Sequence, residues 1–358
     1  AAANLGETSE LWLSDAAGLL QPAVSAAPSP VDLVGPAADY WVISHAQFLP
    51  QMQALLQLRE RQGLRTRLID VEQIYLAYSA GNPDPGAIRR FVREIAAPAG
   101  ARYLLLVGGD SYDGPGYLGS GSISFVPTFY GRTNEVVAYA PADEFYGDLT
   151  GDGLAEIAVG RLPVRTQAEA AESVRKLLQY DNQPATQRVL LVAGARDTNQ
   201  QLDFTQSATT LGNSMATGWQ QTAVYSDVLG VSAARTALIS ALNDGQSLVS
   251  YTGHSSPTQW GFEQLLTATQ VGGLASNANQ PVVLQFGCWT TYFVSPQANT
   301  MGHALMLSAN RGGSAVIGST VLLDQPSHDA MARAMSGRLL PGTRIGTALV
   351  EAKRQIAA

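Results

Sequence analysis

Pro281-Val-Val-Leu-Gln-Phe-Gly287 is a seven-residue run, apolar but for Gln285, and it ends on Cys288, the only cysteine of the chain. The polar aromatic stretch Trp289-Thr-Thr-Tyr-Phe293 follows at once. A short apolar run bounded by Pro and Gly reads as a buried parallel strand, and the carboxyl ends of such strands are where α/β proteins place ligands. Ser247-Leu-Val-Ser-Tyr-Thr-Gly253 ends in the same way on His254. If the two strands are neighbours, a thiol and an imidazole share one sheet edge.

Working outward, strand and helix signals alternate on both sides of this pair, the signature of mainly parallel sheets flanked by helices. The N-terminal half predicts strands Tyr40–Ser44, Leu64–Ile69, Arg102–Val107 and Glu156–Gly160, with helices Phe48–Gln62 and Pro85–Ile95 between them. A Gly-rich, aromatic stretch, 108–147, is too irregular for core and has the length of a functional loop. Thr166 with Glu169 three residues on forms a capping-box pattern opening an amphipathic helix to Gln179. Beyond it come strands Arg188–Ala193 and Gln221–Tyr225, helices Phe204–Met215 and Ala233–Leu242, and the two strands of the pair. Helix Asn299–Ala309, strand Ser314–Ser319 and helices Asp329–Leu339 and Ile345–Ile356 complete the chain. The expected organisation is a Pro-rich lead-in segment, 1–39, and two tandem α/β subdomains, 40–165 and 166–358.

At 358 residues and 46% hydrophobic, the chain can bury two joined α/β cores. Only 14% of residues are charged and the net charge is −7, which argues against nucleic acid or anionic lipid as partner. No run of about 18 apolar residues is present to span a membrane. The first residues, Ala1-Ala-Ala-Asn-Leu-Gly-Glu7, carry no basic region followed by an apolar stretch, so any signal peptide is expected to be already gone or never to have existed. A single cysteine excludes an intramolecular disulfide and leaves a thiol that is either buried and inert or kept because it reacts.

A cysteine nucleophile requires a base within hydrogen-bond reach, a group that orients the base, and backbone N–H donors for the oxyanion. His254 and Cys288 meet the first requirement if their strands pair. The order of the chain's motifs then resembles the gingipain-type cysteine peptidases, a family with a caspase-like fold in which histidine precedes cysteine. The resemblance runs from Tyr40 onward. It rests on Tyr40-Trp-Val-Ile-Ser44, Leu58-Arg-Glu-Arg-Gln-Gly-Leu64, Ala87-Ile-Arg-Arg-Phe91, Tyr103-Leu-Leu-Leu-Val-Gly108 and Glu156-Ile-Ala-Val-Gly-Arg-Leu-Pro163. Ser250-Tyr-Thr-Gly-His254, Gly313-Ser-Ala-Val-Ile-Gly-Ser-Thr320 and Ile345-Gly-Thr-Ala-Leu349 extend it.

The resemblance implies His254 as general base, Cys288 as nucleophile, and an acid after the strand Val189-Leu-Leu-Val-Ala-Gly194. The nearest carboxylate there is Asp197, to be weighed against an exposed loop aspartate. The implied oxyanion donors are the N–H groups of Cys288 and Ser255. Glycine is usual at the latter position, and a turn requiring φ > 0 would disfavour serine. Trp289-Thr290-Thr291 likewise replaces smaller residues. Asp203 is the candidate for binding a P1 guanidinium, with N-capping of the Phe204 helix as its other reading. Trp260 either walls the substrate pocket or packs, and Trp289 is the remaining substrate-side candidate. The implied activity is that of an endopeptidase acting on protein or peptide through a thioester, with a sortase-like transpeptidase and a non-catalytic interaction module as alternatives. No cofactor is required for catalysis. Export to the periplasm or surface of a bacterium, and membership of a larger precursor, are implied too.

Asp148-Leu-Thr-Gly-Asp-Gly-Leu-Ala-Glu156 has the pattern of a shortened calcium loop, with Asp148, Thr150, Asp152 and Glu156 as side-chain ligands and Leu154 through its carbonyl. A calcium bound there would be structural. The alternative is a polar turn. Gly114-Pro-Gly-Tyr-Leu-Gly119 matches a dinucleotide fingerprint by letters but is followed by the strand-like Ser122-Ile-Ser-Phe-Val126 where a helix is required. His303 is expected to pack inside its helix, His45 to end a strand and His328 to lie on the surface. No His and carboxylate spacing points to zinc.

Overall fold

Three neighbouring strands carry the candidate residues of the C-terminal half. The structure, a computed structural model, describes residues 32–133, 136–183, 186–277, 279–339 and 342–358, and residues 32–358 form one compact unit. Most of the expected lead-in segment lies outside the described residues.

The first sheet contains β1 (Tyr40–Ser44), β2 (Thr66–Asp70), β3 (Tyr103–Val107) and β6 (Ala158–Leu162), all parallel in the order β2-β1-β3-β6. A short hairpin of β4 (Tyr130–Arg132) and β5 (Tyr139–Pro141) lies in the long loop before β6. The central strands β1 and β3 are buried at every residue, which is why they read as continuous apolar runs rather than alternating ones. One face packs Trp41, Ile43 and Leu106 against Ile88 and Phe91, and the other packs Val42 and Leu105 against Met52 and Leu55.

The helix Gln167–Asn182 separates the two sheets in sequence. Its capping box is formed as expected, Thr166 Oγ1 accepting from the Glu169 N–H while the Glu169 carboxylate accepts from the Thr166 N–H. The second sheet comprises β7 (Arg188–Ala193), β8 (Gln220–Tyr225), β9 (Leu248–Thr252), β13 (Val282–Phe286) and β14 (Ala315–Gly318). All are parallel, in the order β14-β13-β9-β7-β8. Between β9 and β13 the chain forms a small antiparallel sheet of β10 (Ser255–Ser256), β11 (Gln259–Trp260) and β12 (Leu266–Thr267).

Several boundaries depart from the sequence reading. β6 begins two residues later than expected, and Glu156 lies in the preceding loop. A helix over Val71–Tyr78, capped by Asp70, is additional; it follows β2 with no intervening Gly or Pro to mark it. The helix expected at Asp329 starts at Gln325, because Asp324 caps it and Pro326 suits its first turn. That start draws His328 inward: it is 5% exposed rather than on the surface. His303 packs as expected, 2% exposed, with Nδ1 facing the Thr300 hydroxyl at 3.1 Å.

The long loop of the N-terminal half supports the segment after Cys288. Arg161, on β6 and 5% exposed in its side chain, is paired with Asp143 at 2.6 Å and donates to the carbonyls of Gly108, Val126 and Pro127. Its guanidinium also lies over the Phe293 ring at 5.0 Å, while the Tyr112 N–H donates to Val294 O at 3.0 Å. A buried cation with five donors needs this many acceptors, and Arg161 ties these loop carbonyls to β6.

Candidate active site

β9 is flanked by β13 on one side and β7 on the other, so the strand that ends on the histidine lies between the cysteine strand and the strand before Asp197. In register, Thr252 sits opposite both Phe286 and Ala193. His254 and Cys288 are therefore each two residues past one register pair, at the carboxyl edge of the sheet. Asp197 is four residues past Ala193, at the start of a closed turn in which Asp197 and Leu202 exchange backbone hydrogen bonds.

That turn aims the carboxylate. Asp197 Oδ1 accepts from the N–H groups of Asn199 and Gln200, and Oδ2 from the Gln200 side chain at 2.9 Å. Oδ2 also lies 2.7 Å from His254 Nε2. The Gln200 N–H above all, then the imidazole, hold the Asp197 carboxyl below its ordinary value, which keeps it ionised and able to accept. With Nε2–H donating to the carboxylate, Nδ1 is the nitrogen whose lone pair can take a proton. The ring is fixed further by Phe204, edge-on at 5.1 Å, and by Phe262, stacked at 4.5 Å.

The turn at the histidine depends on two missing side chains. A Cβ on Gly253 would lie 2.5 Å from the Tyr251 hydroxyl, which donates to the His254 carbonyl. A Cβ on Gly287 would lie 2.4 Å from Ser255 Oγ and 2.8 Å from Gly253 O. Ser255 Oγ occupies that space to donate to the Cys288 carbonyl at 2.7 Å. Ser255 is extended, in β10, and is not among the residues with positive φ, so the concern that its position requires glycine does not apply.

Because Gly261 N–H donates to His254 O, Ser255 and Trp260 form a non-hydrogen-bonded antiparallel pair, and the Ser255 N–H points away from β11. Neither this N–H nor that of Cys288 has a protein acceptor among the described residues. Cys288 is partly exposed, its Sγ 3.5 Å from the Leu323 carbonyl. Trp289 takes the left-handed conformation, φ +60°, with its N–H donated to Val321 O and its indole nitrogen buried without a partner among the described residues. A large residue in that region is strained, and such strain concentrates at functional sites.

Three other candidates have local roles. Asp203 caps the Phe204–Ser214 helix through Gln206 N–H and pairs with Arg196 at 2.5 Å, so its carboxylate is engaged. Trp260 is fully buried, stacked on Tyr251 at 4.6 Å with its indole N–H on Gln285 Oε1, and so packs instead of walling a pocket. In the expected calcium loop, Asp148 accepts from Gly151 and Gly153 N–H, Asp152 from Leu154 N–H, and Glu156 from Leu149 N–H. Arg89 lies 3.6 Å from the Asp148 carboxylate. The carboxylates close a polar turn, and among the described residues no group of three or more His, Cys, Asp or Glu side chains converges on a point. A cavity of about 1800 Å³ touches Thr291 and Leu323 but is lined by neither Cys288 nor His254.

The profile of peptidase family C25 matches residues 34–358. The chain belongs to this family. Gingipain R2 of Porphyromonas gingivalis is 25% identical over 295 residues, 78% of this chain and 36% of that protein. Lys-gingipain W83 of the same bacterium is 28% identical over 188 residues, 50% of this chain and 10% of its own length. The chain thus spans little more than a third of these relatives at most. Among solved structures, the Arg-specific cysteine proteinase gingipain R aligns with a TM-score of 0.71 at 19% identity, covering 91% of this chain and 73% of that one. The complex of gingipain pro- and mature domains from P. gingivalis gives the same score over 89% and 74%. As a C25 member the chain has the caspase-like α/β fold expected from its sequence, in a family of cysteine peptidases. Of the site residues, Asp197 was the hardest to read from sequence, since only the Asp197–Leu202 backbone pairing brings it back onto the histidine.

Proposed function

We propose that this chain is a cysteine endopeptidase with Cys288, His254 and Asp197 as its catalytic groups. His254 Nδ1 takes the thiol proton and the Cys288 sulfur attacks the substrate carbonyl carbon. The oxygen of the tetrahedral intermediate then accepts from the N–H groups of Ser255 and Cys288. Collapse breaks the C–N bond, the imidazolium gives its proton to the leaving amine, and water hydrolyses the thioester by the reverse assignment. Asp197 holds the imidazole tautomer and stabilises the imidazolium.

The single observation that carries this reading is the 2.7 Å contact between Asp197 and His254, on the strand adjacent to the one that ends at Cys288. Family membership supports protein substrates, export from a bacterial cell and a place in a larger precursor. The test compares the parent with Cys288→Ala on a peptide library. Cleavage should disappear in the variant; cleavage at the parental rate would remove the thiol from the mechanism.

A further inference from the structure

Two residues with large, exposed apolar side chains touch the two reacting groups, Phe262 through its ring and Leu323 through its backbone carbonyl. Phe262 stacks on the His254 ring yet is 70% exposed. Leu323, whose carbonyl oxygen lies 3.5 Å from Cys288 Sγ, is 43% exposed. Isolated exposed apolar residues are ordinary, but the Phe262 ring contacts the imidazole and the Leu323 backbone the thiol, where an extended peptide has to lie for its carbonyl to be attacked.

The charges around them have other partners. Asp197 is committed to His254 and to its own turn. Asp203 and Asp227 both face Arg196, at 2.5 Å and 3.7 Å. Glu263 accepts the Ala195 N–H at 2.9 Å. Asp324, next to Leu323, is turned to its own helix, accepting from the Ser327 N–H at 2.8 Å. Arg196, adjacent to Asp197, is itself engaged by Asp203 and Asp227. A substrate lysine or arginine would meet no unengaged carboxylate among these.

Resting on the peptidase reading above, we infer that the subsite for the residue on the acyl side of the scissile bond takes a large apolar side chain, seated against Phe262 and Leu323. The preference separates this chain from an enzyme that reads a cationic side chain.

The experiment uses the whole chain and a set of fluorogenic peptides differing only at that residue: Leu, Phe, Ala, Arg and Lys. For the parent, kcat/KM for Leu and Phe should exceed that for Arg and Lys by about tenfold or more, the scale on which a hydrophobic pocket discriminates. In Phe262→Ser and Leu323→Ser the ratio of Leu to Ala should fall about tenfold; a purely structural loss would lower both substrates together and leave the ratio alone. An Arg or Lys preference, abolished by Asp324→Asn or Asp203→Asn, would overturn the inference. So would unchanged Leu to Ala ratios in both serine variants. The iodoacetamide rate of Cys288 separates the two readings. Alkylation faster than a free model thiol with the wrong side-chain preference rejects the inference alone. Alkylation no faster, with no peptide cleaved, rejects the peptidase reading and the inference with it.

Discussion

Asp197 Oδ2 lies 2.7 Å from His254 Nε2, and the same oxygen accepts the Gln200 side chain. The carboxylate therefore fixes the tautomer of a ring that is otherwise held only by aromatic contacts. Asp197→Asn presents an amide N–H or O to Nε2 and lets the ring settle with its lone pair on the wrong nitrogen. The expected loss in kcat/KM is about 100-fold to 10,000-fold. A loss below about threefold in steady-state assays would remove Asp197 from the catalytic groups.

The same carboxylate sets a pH dependence of stability. Its folded value is lowered from 3.8, first by the Gln200 N–H, so its contribution is fully present above the ordinary carboxylate range and is lost as pH falls through the lowered value. Urea midpoints of the parent and of Asp197→Asn, followed from pH 6 downward, should differ most near neutrality and converge at the acid end. A gap that stays constant over that range would contradict the linkage.

Ser255 and Gly287 are predicted to be coupled. Gly287→Ala forces a methyl to within 2.4 Å of Ser255 Oγ and 2.8 Å of the Gly253 carbonyl, and should cost about 1–3 kcal/mol by the usual scale of overpacking. Ser255→Gly removes the first clash but not the second. Chemical denaturation of the double variant should thus show less destabilisation than the sum of the singles, and strict additivity would argue against the contact.

Ser255→Ala alone deletes the hydroxyl that donates to the Cys288 carbonyl. The carbonyl can accept a water in exchange, so global stability should fall by only about 1 kcal/mol. The backbone of the cysteine turn loses its tie to β10, and the rate of Cys288 alkylation against pH should shift. An unchanged alkylation profile would assign the hydroxyl a packing role only.

Lys176 is 1% exposed and its ammonium donates to the carbonyls of Leu305, Met306 and Arg311, at the end of the helix Met301–Leu307. Lys176→Met keeps the aliphatic stem and leaves three carbonyls without this donor, a cost of about 3 kcal/mol. Thermal unfolding should register it; an unchanged midpoint would mean that water replaces the ammonium.

Much of this architecture was legible locally. Leu104, Val249 and Leu284 lie in runs short enough and apolar enough to be central strands, and Thr166 with Glu169 announces a helix start, because these signals depend on residues within one turn or one strand. The ends of β9 and β13 could be read for the same reason, and with them His254 and Cys288. The helix Val71–Tyr78 escaped because Asp70 both ends a strand and caps a helix, with no breaker between them. Helix Gln325–Ser336 was read four residues short because the first-turn signals, Asp324 and Pro326, resemble loop.

Sequence by itself determined the alternation of strands and helices, the caps, and the chain positions where a thiol and an imidazole emerge from buried strands. Only tertiary structure decided that β9 lies between β13 and β7, bringing Asp197 to His254 across 57 residues of chain. It also decided that Asp203 caps a helix, that Trp260 is core, that the Asp148 turn closes on its own backbone, and that Ser255 is extended. The reason is physical. Periodicity and capping are set by near neighbours, whereas the partner of a carboxylate or an indole is chosen by non-local packing, where a polar group in a folded chain takes whichever donor the assembled sheets bring within reach.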